Sequence, residues 1–574
     1  MNRNTEARFR DLPKLKLKRS VFDKSCGLHT TFNNGKLIPL YVDSSIMPGD
    51  EIKMSMASIM RMTTPLFPVM DNAMFDVYTF FVPTRLIWTH AKEFWGENPK
   101  RWTTDQVNYQ IPQIKPPSGG WGEETLADYL GYPTKTNYGT ETEGISALEI
   151  RAYCQIVNDF FRDENLRDAV YFPTDDATVT GTNGTGSGET EENALYKGGL
   201  LYTVAKLHDY FTSALPGAQK GEPVQLPLGE WAPVQPRWDT TSDKAIPIPY
   251  DQVPSYKWAL TPNITAGNGG EIGTGYDGKN INISGGTIDS TIPYSNTANS
   301  GTFGETGTAI GINNMWANLE LATSASINEL RTAFAIQKFL EAKARGGTRY
   351  IEMVSNIWGV ESSDARLQRA EYLGGTRIPV NVDQVVQTSS TDSTSPQGNV
   401  GAFSYTPSRD YICDKGFEEH GIFMVLGVMR HERTYQQGVA RHLLRKNQDD
   451  FYNPYFANLG EQPIINAEIY MDGTSKDNEF FGFQEAWADM RYGINRVTGK
   501  MRSNVTGTLD AYHYADNYSS RPYLGEDWIK EDDAEIKRTL AVQNEPDMIG
   551  NFWFDLKYKR VMPFYSIPGL IDHV

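Results

Sequence analysis

Cysteine is scarce. There are three in 574 residues, Cys26, Cys154 and Cys413, far apart and without a C-x-x-C spacing. An odd count with no metal spacing argues against a disulfide framework or a zinc site and fits folding in a reducing cytoplasm. Positive charge is also in short supply. The formal net charge is −17, so the chain as a whole is no generic nucleic-acid binder, although a local surface can still be basic. Long hydrophobic runs are lacking: the best, Gly421 to Met429, is strand-sized and far short of a membrane span. The N-terminus shows no apolar stretch of the secretory type. Catalytic signatures are lacking too. There is no G-x-S-x-G and no H-E-x-x-H, and His431-Glu432 is not continued by a second histidine at metal spacing. The eight histidines are scattered and read as structural residues. Gly273 to Gly278 with Lys279 has P-loop spacing. Asn280 stands where a hydroxyl is needed, and no strand or helix flanks it, so a Gly-rich loop explains it.

Aromatic residues and chain breakers are plentiful. Tyr, Phe and Trp number 30, 26 and 12, and there are 51 Gly and 31 Pro. That composition supplies a large core and many loops, which suits an all-β protein and argues against a helical bundle. Four strands stand out. In Glu51 to Met62 the apolar residues alternate (Ile52, Met54, Met56, Met60, Met62), interrupted by Ser58. In Met74 to Val82, Phe75, Val77, Thr79 and Phe81 share one face and Tyr78, Phe80 and Val82 the other, which predicts burial on both faces. Pro48-Gly49-Asp50 turns the chain into the first of these, and Pro65, Pro68 and Asp71-Asn72 keep the link between them from being helical. Gly421 to Arg430 is nearly all apolar, hence central, and Asn551 to Lys559 alternates. Helices are expected from His90 to before Pro99 and over Ser146 to Asp168, where Leu148, Tyr153, Ile156, Val157, Phe160 and Phe161 form a stripe. A third follows a capping box at Ser326-x-x-Glu329 and ends at Gly346-Gly347. Ile327, Leu330 and Phe334 lie on one side of that third helix and Ile336, Phe339 and Leu340 on the other, so it is expected to be buried twice. Glu352 to Val380 reads as a Trp-bearing turn, a short helix and a turn. Residues 175–188 and 387–401 read as loops, and residues 230–320 as a Gly/Thr/Ser/Asn-rich surface insertion.

Several blocks carry a resemblance. PGDEIKMSM, TPLFPVMDN and FFVPTRLIW near the start are similar to the major capsid protein of gokushovirus-like Microviridae bacteriophages. So are HDYFTSALPGAQKGEPVQLPLG at 208–229, RHERTYQQGVARHLLRK at 430–446, FYNPYFANLGEQPIINAEIY, EAWADMRYGINRVTGKMRS and the ending PGLIDH. The resemblance implies an eight-stranded antiparallel jelly-roll sandwich with long loop insertions and a few short helices. In such a fold the C-terminal strand would pair with Glu51 to Met62 as last strand beside first. It divides the chain into a basic N-terminal arm and lead-in (1–36), a first part of the core (37–229), the insertion (230–320) and the rest of the core with the C-terminal strand (321–574). It implies a T=1 icosahedral virion shell around circular single-stranded DNA, made in the host bacterial cytoplasm, and an insertion that projects outward for host attachment. The implied partners are further copies of the chain, the single-stranded DNA genome, a small basic DNA-binding protein, an internal scaffolding protein, a DNA pilot protein and a bacterial host surface receptor, with no membrane insertion.

Two basic stretches are candidates for DNA contact on the inner surface. The first is the arm, with Arg3, Arg8, Arg10, Lys14, Lys16, Lys18 and Arg19; it is either a solvated tail or a segment lying on phosphates. The second follows a central strand and holds Arg430, Arg433, Tyr435, Arg441, Arg445 and Lys446, with His442; it either pairs with the abundant carboxylates or meets DNA, where Arg and Tyr can stack on bases. No catalytic residue and no cofactor is expected. Acidic loops at Asp175-Asp176 and at Glu526-Asp527 with Glu531-Asp532-Asp533 could take Ca²⁺, although they lack the D-x-D-x-D-G pattern. A reading from another class is a β-sandwich carbohydrate-binding protein or glycosidase, with Trp for sugar stacking and paired carboxylates for acid–base work.

Overall fold

The computed structural model describes residues 18–97, 109–134, 144–222, 327–389 and 396–565, apart from 187 and 348, and only short strands and one further residue between 223 and 326. Contacts divide the chain into two compact units, one of residues 1–221 with 340–574 and one of residues 222–339. The first holds nine main strands: β1 (Ser20–Asp23), β2 (Cys26–Phe32), β3 (Ile38–Ile46), β4 (Glu51–Met62), β5 (Ala73–Pro83), β6 (Glu371–Pro379), β7 (Thr406–Gly416), β8 (Gly421–His431) and β9 (Met548–Arg560).

These make two antiparallel sheets. One runs β1–β9–β4–β7, with β2 following β1 along the same side of β9; the other runs β6–β5–β8–β3. Since β1 and β2 share one edge, there are eight strand positions, and from β2 onward each strand is followed by one in the other sheet, except that β5 and β6 are neighbours in the same one, as in a jelly roll. The expected pairing of β4 with the C-terminal strand is present: Met56 lies opposite Phe554 in a register that runs from Met62↔Met548 to Glu51↔Lys559. The reason given for it needs correction. The first strand of the fold is not β4. β1 and β2 lie in the lead-in segment and take the other side of β9, with Cys26 also opposite Phe554.

Alternation explains the core. Ile52, Met54, Met56, Ser58, Met60 and Met62 all point inward from β4 and are buried. Phe75 and Val77 meet them from β5, and Phe75 lies 5.1 Å from Phe32 and 5.6 Å from Phe552, ring to ring. Each fully buried side chain of this size contributes roughly 1.5–3 kcal/mol relative to exposure. Ser58 is the exception, with a buried hydroxyl that has no partner among the described residues. The turn before β4 is set by Gly49, at φ 93°, and by Asp50, whose carboxylate accepts from the Met47 amide at 3.1 Å.

The outer face of the β6–β5–β8–β3 sheet is covered. Helix α1 (Leu148–Ile156) continues into a π turn, Val157–Phe161, shorter than the expected 146–168. Phe160 lies 4.8 Å from Phe80 and Phe161 5.2 Å from Tyr78. β5 and β8 are therefore buried on both faces, as their sequences imply. Two long excursions leave the sandwich, residues 84–370 between β5 and β6 and residues 432–547 between β8 and β9. The two share a small second core, in which Tyr435, Ile464, Phe481 and Trp528 of the second pack with Phe211 of the first.

Three local expectations are corrected. The expected turn at Trp358 is the end of helix Tyr350–Trp358, closed by Gly359 at φ 65°, and β6 occupies 371–379. The short helix after His90 spans Ala91–Phe94, and the residues around Pro99 lie outside those described. Helix Ile327–Arg345 is present, but Leu330, Phe334, Ile336 and Phe339 are exposed rather than buried on two sides; apolar residues spread around a helix cannot all face one packing surface. Its expected cap, Ser326, is outside the described residues, as are most of the 230–320 insertion and the C-terminal PGLIDH. Within the second unit the described strands are short antiparallel pairs, such as Pro293–Asn296 with Asn299–Thr302.

Candidate nucleic-acid interface

The basic span after β8 begins within that strand. Arg430 points away from the sandwich core, and its guanidinium meets Asp76 of β5 at 2.7 Å, where Arg377 of β6 arrives at 2.6 Å. Burial pushes the Asp76 carboxyl up, and the two guanidiniums more than reverse this, so it stays below the usual range. Arg430 also lines a cleft of about 560 Å³ with Tyr78, Phe80, Phe160, Phe161 and Arg349. Arg349 is itself held by Glu164 at 2.9 Å and Glu352 at 3.2 Å.

The next residues turn under the sandwich into a buried network. Arg433 meets Asp516 at 2.8 Å and also binds Glu531. His431 approaches Glu531 with Nδ1 at 3.0 Å, and the Asn34 amide donates to the same carboxylate at 2.9 Å. Tyr518 donates to Asp516 at 2.6 Å. His431, Arg433, Asp516 and Glu531 are all essentially inaccessible. Burial raises the Glu531 carboxyl, but Arg433 and His431 bring it down to about 2. Asp516 is held low in the same way. Nearby, Asp547 has no such cation in contact among the described residues. Burial pushes it up to about 6, although the Asn34 amide donates to it at 2.9 Å.

The rest of the span is engaged within the subunit as well. Tyr435 is buried and donates to Asp209 at 2.6 Å. Arg441 pairs with Glu468 at 3.0 Å and Arg445 with Asp489 at 2.6 Å. His442 and Lys446 are exposed. Of the N-terminal arm, Lys18 and Arg19 are described and exposed, immediately before β1; Arg3, Arg8, Arg10, Lys14 and Lys16 lie outside the described residues. The geometry thus spends the charge of Arg430, Arg433, Arg441 and Arg445 on carboxylates and leaves Lys446, Lys18 and Arg19 facing solvent.

The acidic loops are similarly occupied. Asp176 accepts from the Trp88 indole at 2.6 Å and meets His90 at 2.8 Å. Glu526 holds Lys530 at 2.5 Å, Asp533 holds Lys537 at 2.6 Å, and Glu531 belongs to the buried network. Among the described residues no three His, Cys, Asp or Glu side chains converge as a metal site would require.

The structure brings forward one surface that sequence reasoning did not single out. The outer face of the β1–β9–β4–β7 sheet carries Ile549, Trp553, Ile59 and Tyr411, all exposed, and no described residue covers it. Its signal in the sequence is the outward set of β9, Ile549, Asn551, Trp553, Asp555, Lys557 and Lys559, in which an aromatic stands among charged residues.

The chain was compared with known proteins. The family described as capsid protein (F protein), found in phages, matches residues 11–570. Capsid protein VP1 of Spiroplasma virus 4 is 40% identical over 546 residues, 94% of this chain and 93% of that protein. Capsid protein VP1 of Chlamydia phage 1 is 38% identical over 600 residues, covering 98% of this chain and 97% of the relative. Capsid protein VP1 of Bdellovibrio phage phiMH2K is 37% identical over 575 residues, covering 99% and 98%.

Proposed function

The chain belongs to the phage capsid protein (F protein) family, and on that premise we propose that it closes into a T=1 icosahedral shell around a circular single-stranded DNA genome. It is a structural protein of the virion and not an enzyme, as its relatives are capsid proteins. No helix among the described residues is long and apolar enough to cross a membrane.

The observation that carries the proposal is the two-sheet sandwich closed by its own termini, with β9 held between β2 and β4. Two sheets that share one core hold their outer surfaces in a set relation, from which neighbours can be met in one geometry. Heterologous contacts that close under rotation make rings, and rings tile a shell. Apolar side chains left exposed in one chain, such as Phe334, Ile336 and Trp358, supply the area removed from water on assembly. Each contact can be weak because many act together.

With a net charge of −17 the subunit cannot neutralise a genome alone. That supports a small basic DNA-binding protein as partner, with the N-terminal arm and Lys446 as the subunit's own contribution. An internal scaffolding protein, a DNA pilot protein and a host receptor complete the proposed set, the last met by the 230–320 insertion projecting outward. The test is electron microscopy and nucleic-acid extraction of particles made from the full chain with its phage partners. The proposal expects closed icosahedral particles that protect circular single-stranded DNA from nuclease. Open sheets, or shells holding only duplex DNA, would refute it.

A further inference from the structure

The outer face of the β1–β9–β4–β7 sheet leaves Ile59, Tyr411, Ile549 and Trp553 exposed. At its centre, side by side across the four strands β2, β9, β4 and β7, stand Gly27, Trp553, Ala57 and Arg409. The Trp553 ring reaches over Gly27: a Cβ there would come within 3.3 Å of Cε3 of the indole. A side chain at Gly27 would push the ring outward by a few tenths of an ångström, and Trp553 remains 54% exposed. The flanking residue on β4, Ala57, is too small to cover it. The indole is thus an aromatic platform with solvent above it, where burial inside the core would be the ordinary fate of such a side chain.

Cations surround it. Lys53, Arg61, Arg409 and Lys557 lie on the same face, and none has a carboxylate within 4 Å among the described residues, unlike the arginines of the 430–445 span. Lys53 instead stands 5.9 Å from the Tyr411 ring and Arg61 5.7 Å from the Tyr405 ring. Of the anions on this face, Glu51 is taken by Lys559 at 3.0 Å, while Asp23, Asp414 and Asp555 remain. Asp23 stands opposite Lys557 and Asp414 opposite Lys53 across the ladder, so cations exceed anions on this face only narrowly, against a net charge of −17 for the whole chain. The arm that holds Arg3 to Arg19 joins the body at β1, the edge of this same sheet. Its last residues, Lys18 and Arg19, are exposed immediately before that strand.

We propose that the outer face of the β1–β9–β4–β7 sheet is a docking surface for single-stranded DNA, with a base stacked on Trp553 and backbone phosphates against Lys53, Arg61, Arg409 and Lys557. Stacking on an aromatic side chain is tolerant of sequence, and lysines and arginines follow the backbone without reading bases. That is the binding a shell needs if it must hold any stretch of its genome. The inference rests on the proposed packaging of single-stranded DNA.

The test has two arms. In the first, particles made from the full chain are irradiated at a wavelength that cross-links bases to aromatic residues, and the linked peptides are mapped. Links at Trp553 or Tyr411 support the assignment. Particles that hold single-stranded DNA but link only elsewhere overturn it and leave the packaging reading standing. Particles with no single-stranded DNA overturn the packaging reading itself. In the second arm the full-length chain binds a twenty-base thymidine oligonucleotide over a range of salt. Trp553→Ala is expected to weaken binding on the order of tenfold with the salt slope unchanged, and Trp553→Phe to restore most of the affinity. Lys53→Gln/Arg61→Gln/Lys557→Gln is expected to flatten the slope by about 2. If Trp553→Ala leaves oligonucleotide affinity intact and instead abolishes particle closure, the face is a contact between copies of the chain and the proposal is wrong.

Discussion

Arg433 and Lys557 are both cations in an acidic chain, yet they live in opposite settings. Arg433 is enclosed by Asp516, Glu531 and His431 beneath the sandwich. Lys557 stands on an open sheet face, opposite Asp23 in the ladder but with no carboxylate within 4 Å among the described residues. The first arrangement fixes a fold and the second is free to meet something else. Charge count alone does not separate them: in the sequence the 430–446 cluster is the denser of the two. What separates them is burial. A buried guanidinium needs its carboxylates, because an unpaired charge in the interior costs several kcal/mol. On a sheet face, water satisfies the cation until a ligand replaces it.

The contrast can be broken most forcefully at Arg433. Arg433→Ala leaves Asp516 and Glu531 buried without their main cation and is expected to cost about 3–5 kcal/mol, read as a large fall in the thermal midpoint or loss of soluble subunit. Lys557→Gln, at the other pole, is expected to change stability by no more than about 0.5 kcal/mol while shifting the salt dependence of oligonucleotide binding. A comparable loss of stability at Lys557 would erase the distinction.

Acid sharpens the comparison. Glu531 sits at about 2 in the folded protein, below its ordinary value near 4.5. Its contribution to stability is therefore fully present above that ordinary value and lost as the pH falls toward 2. Asp547 runs the other way. Its folded value is raised to about 6, so ionising it costs stability once the pH passes that point, and the cost vanishes below about 4. Asp547→Asn is expected to raise the unfolding midpoint at pH 8, by on the order of 2 kcal/mol, and to change little at pH 3.5. Equal effects at both pH values would mean that the carboxylate is not strained by burial.

Smaller effects follow inside the sandwich and at the acidic loops. Ser58→Ala removes a buried hydroxyl without a partner and is expected to stabilise by about 1 kcal/mol in chemical denaturation. A loss would show that the hydroxyl is satisfied. Chelation of Ca²⁺ is expected to leave the thermal midpoint of the subunit unmoved, since Asp176, Glu526 and Asp533 already have protein partners; a clear drop would reveal an ion at one of those loops.

The same inside–outside logic explains what the sequence could reveal about the fold. The four strands that stand out by pattern, β4, β5, β8 and β9, are the inner strands of the two sheets. β5 and β8 are buried on both faces and read as apolar runs; β4 and β9 are buried on one and alternate cleanly. β2, β3, β6 and β7 are edges. β6 contains Gly374 and Gly375, and β7 carries Pro407, a bulge between Tyr411 and Cys413 and charges at Arg409, Asp410, Asp414 and Lys415. Such features keep an edge from pairing with other chains, and they blur the strand signal in doing so. The site was less legible. Clustering of Arg and Lys at 430–446 suggested a ligand, but the partners of these residues, Asp76, Glu468, Asp489, Asp516 and Glu531, are as much as about three hundred and fifty positions away. Trp553 and Lys53 are likewise brought to one face only by the β4–β9 register.

The account turns on one orientation: the sheet formed by β1, β9, β4 and β7 looks into a closed container, toward the genome. Electron cryomicroscopy of intact particles reads this directly. The expected map has T=1 symmetry with Trp553 on the lumenal wall beneath nucleic-acid density. A map with Trp553 on the outer surface, or sealed between neighbouring subunits, would contradict it.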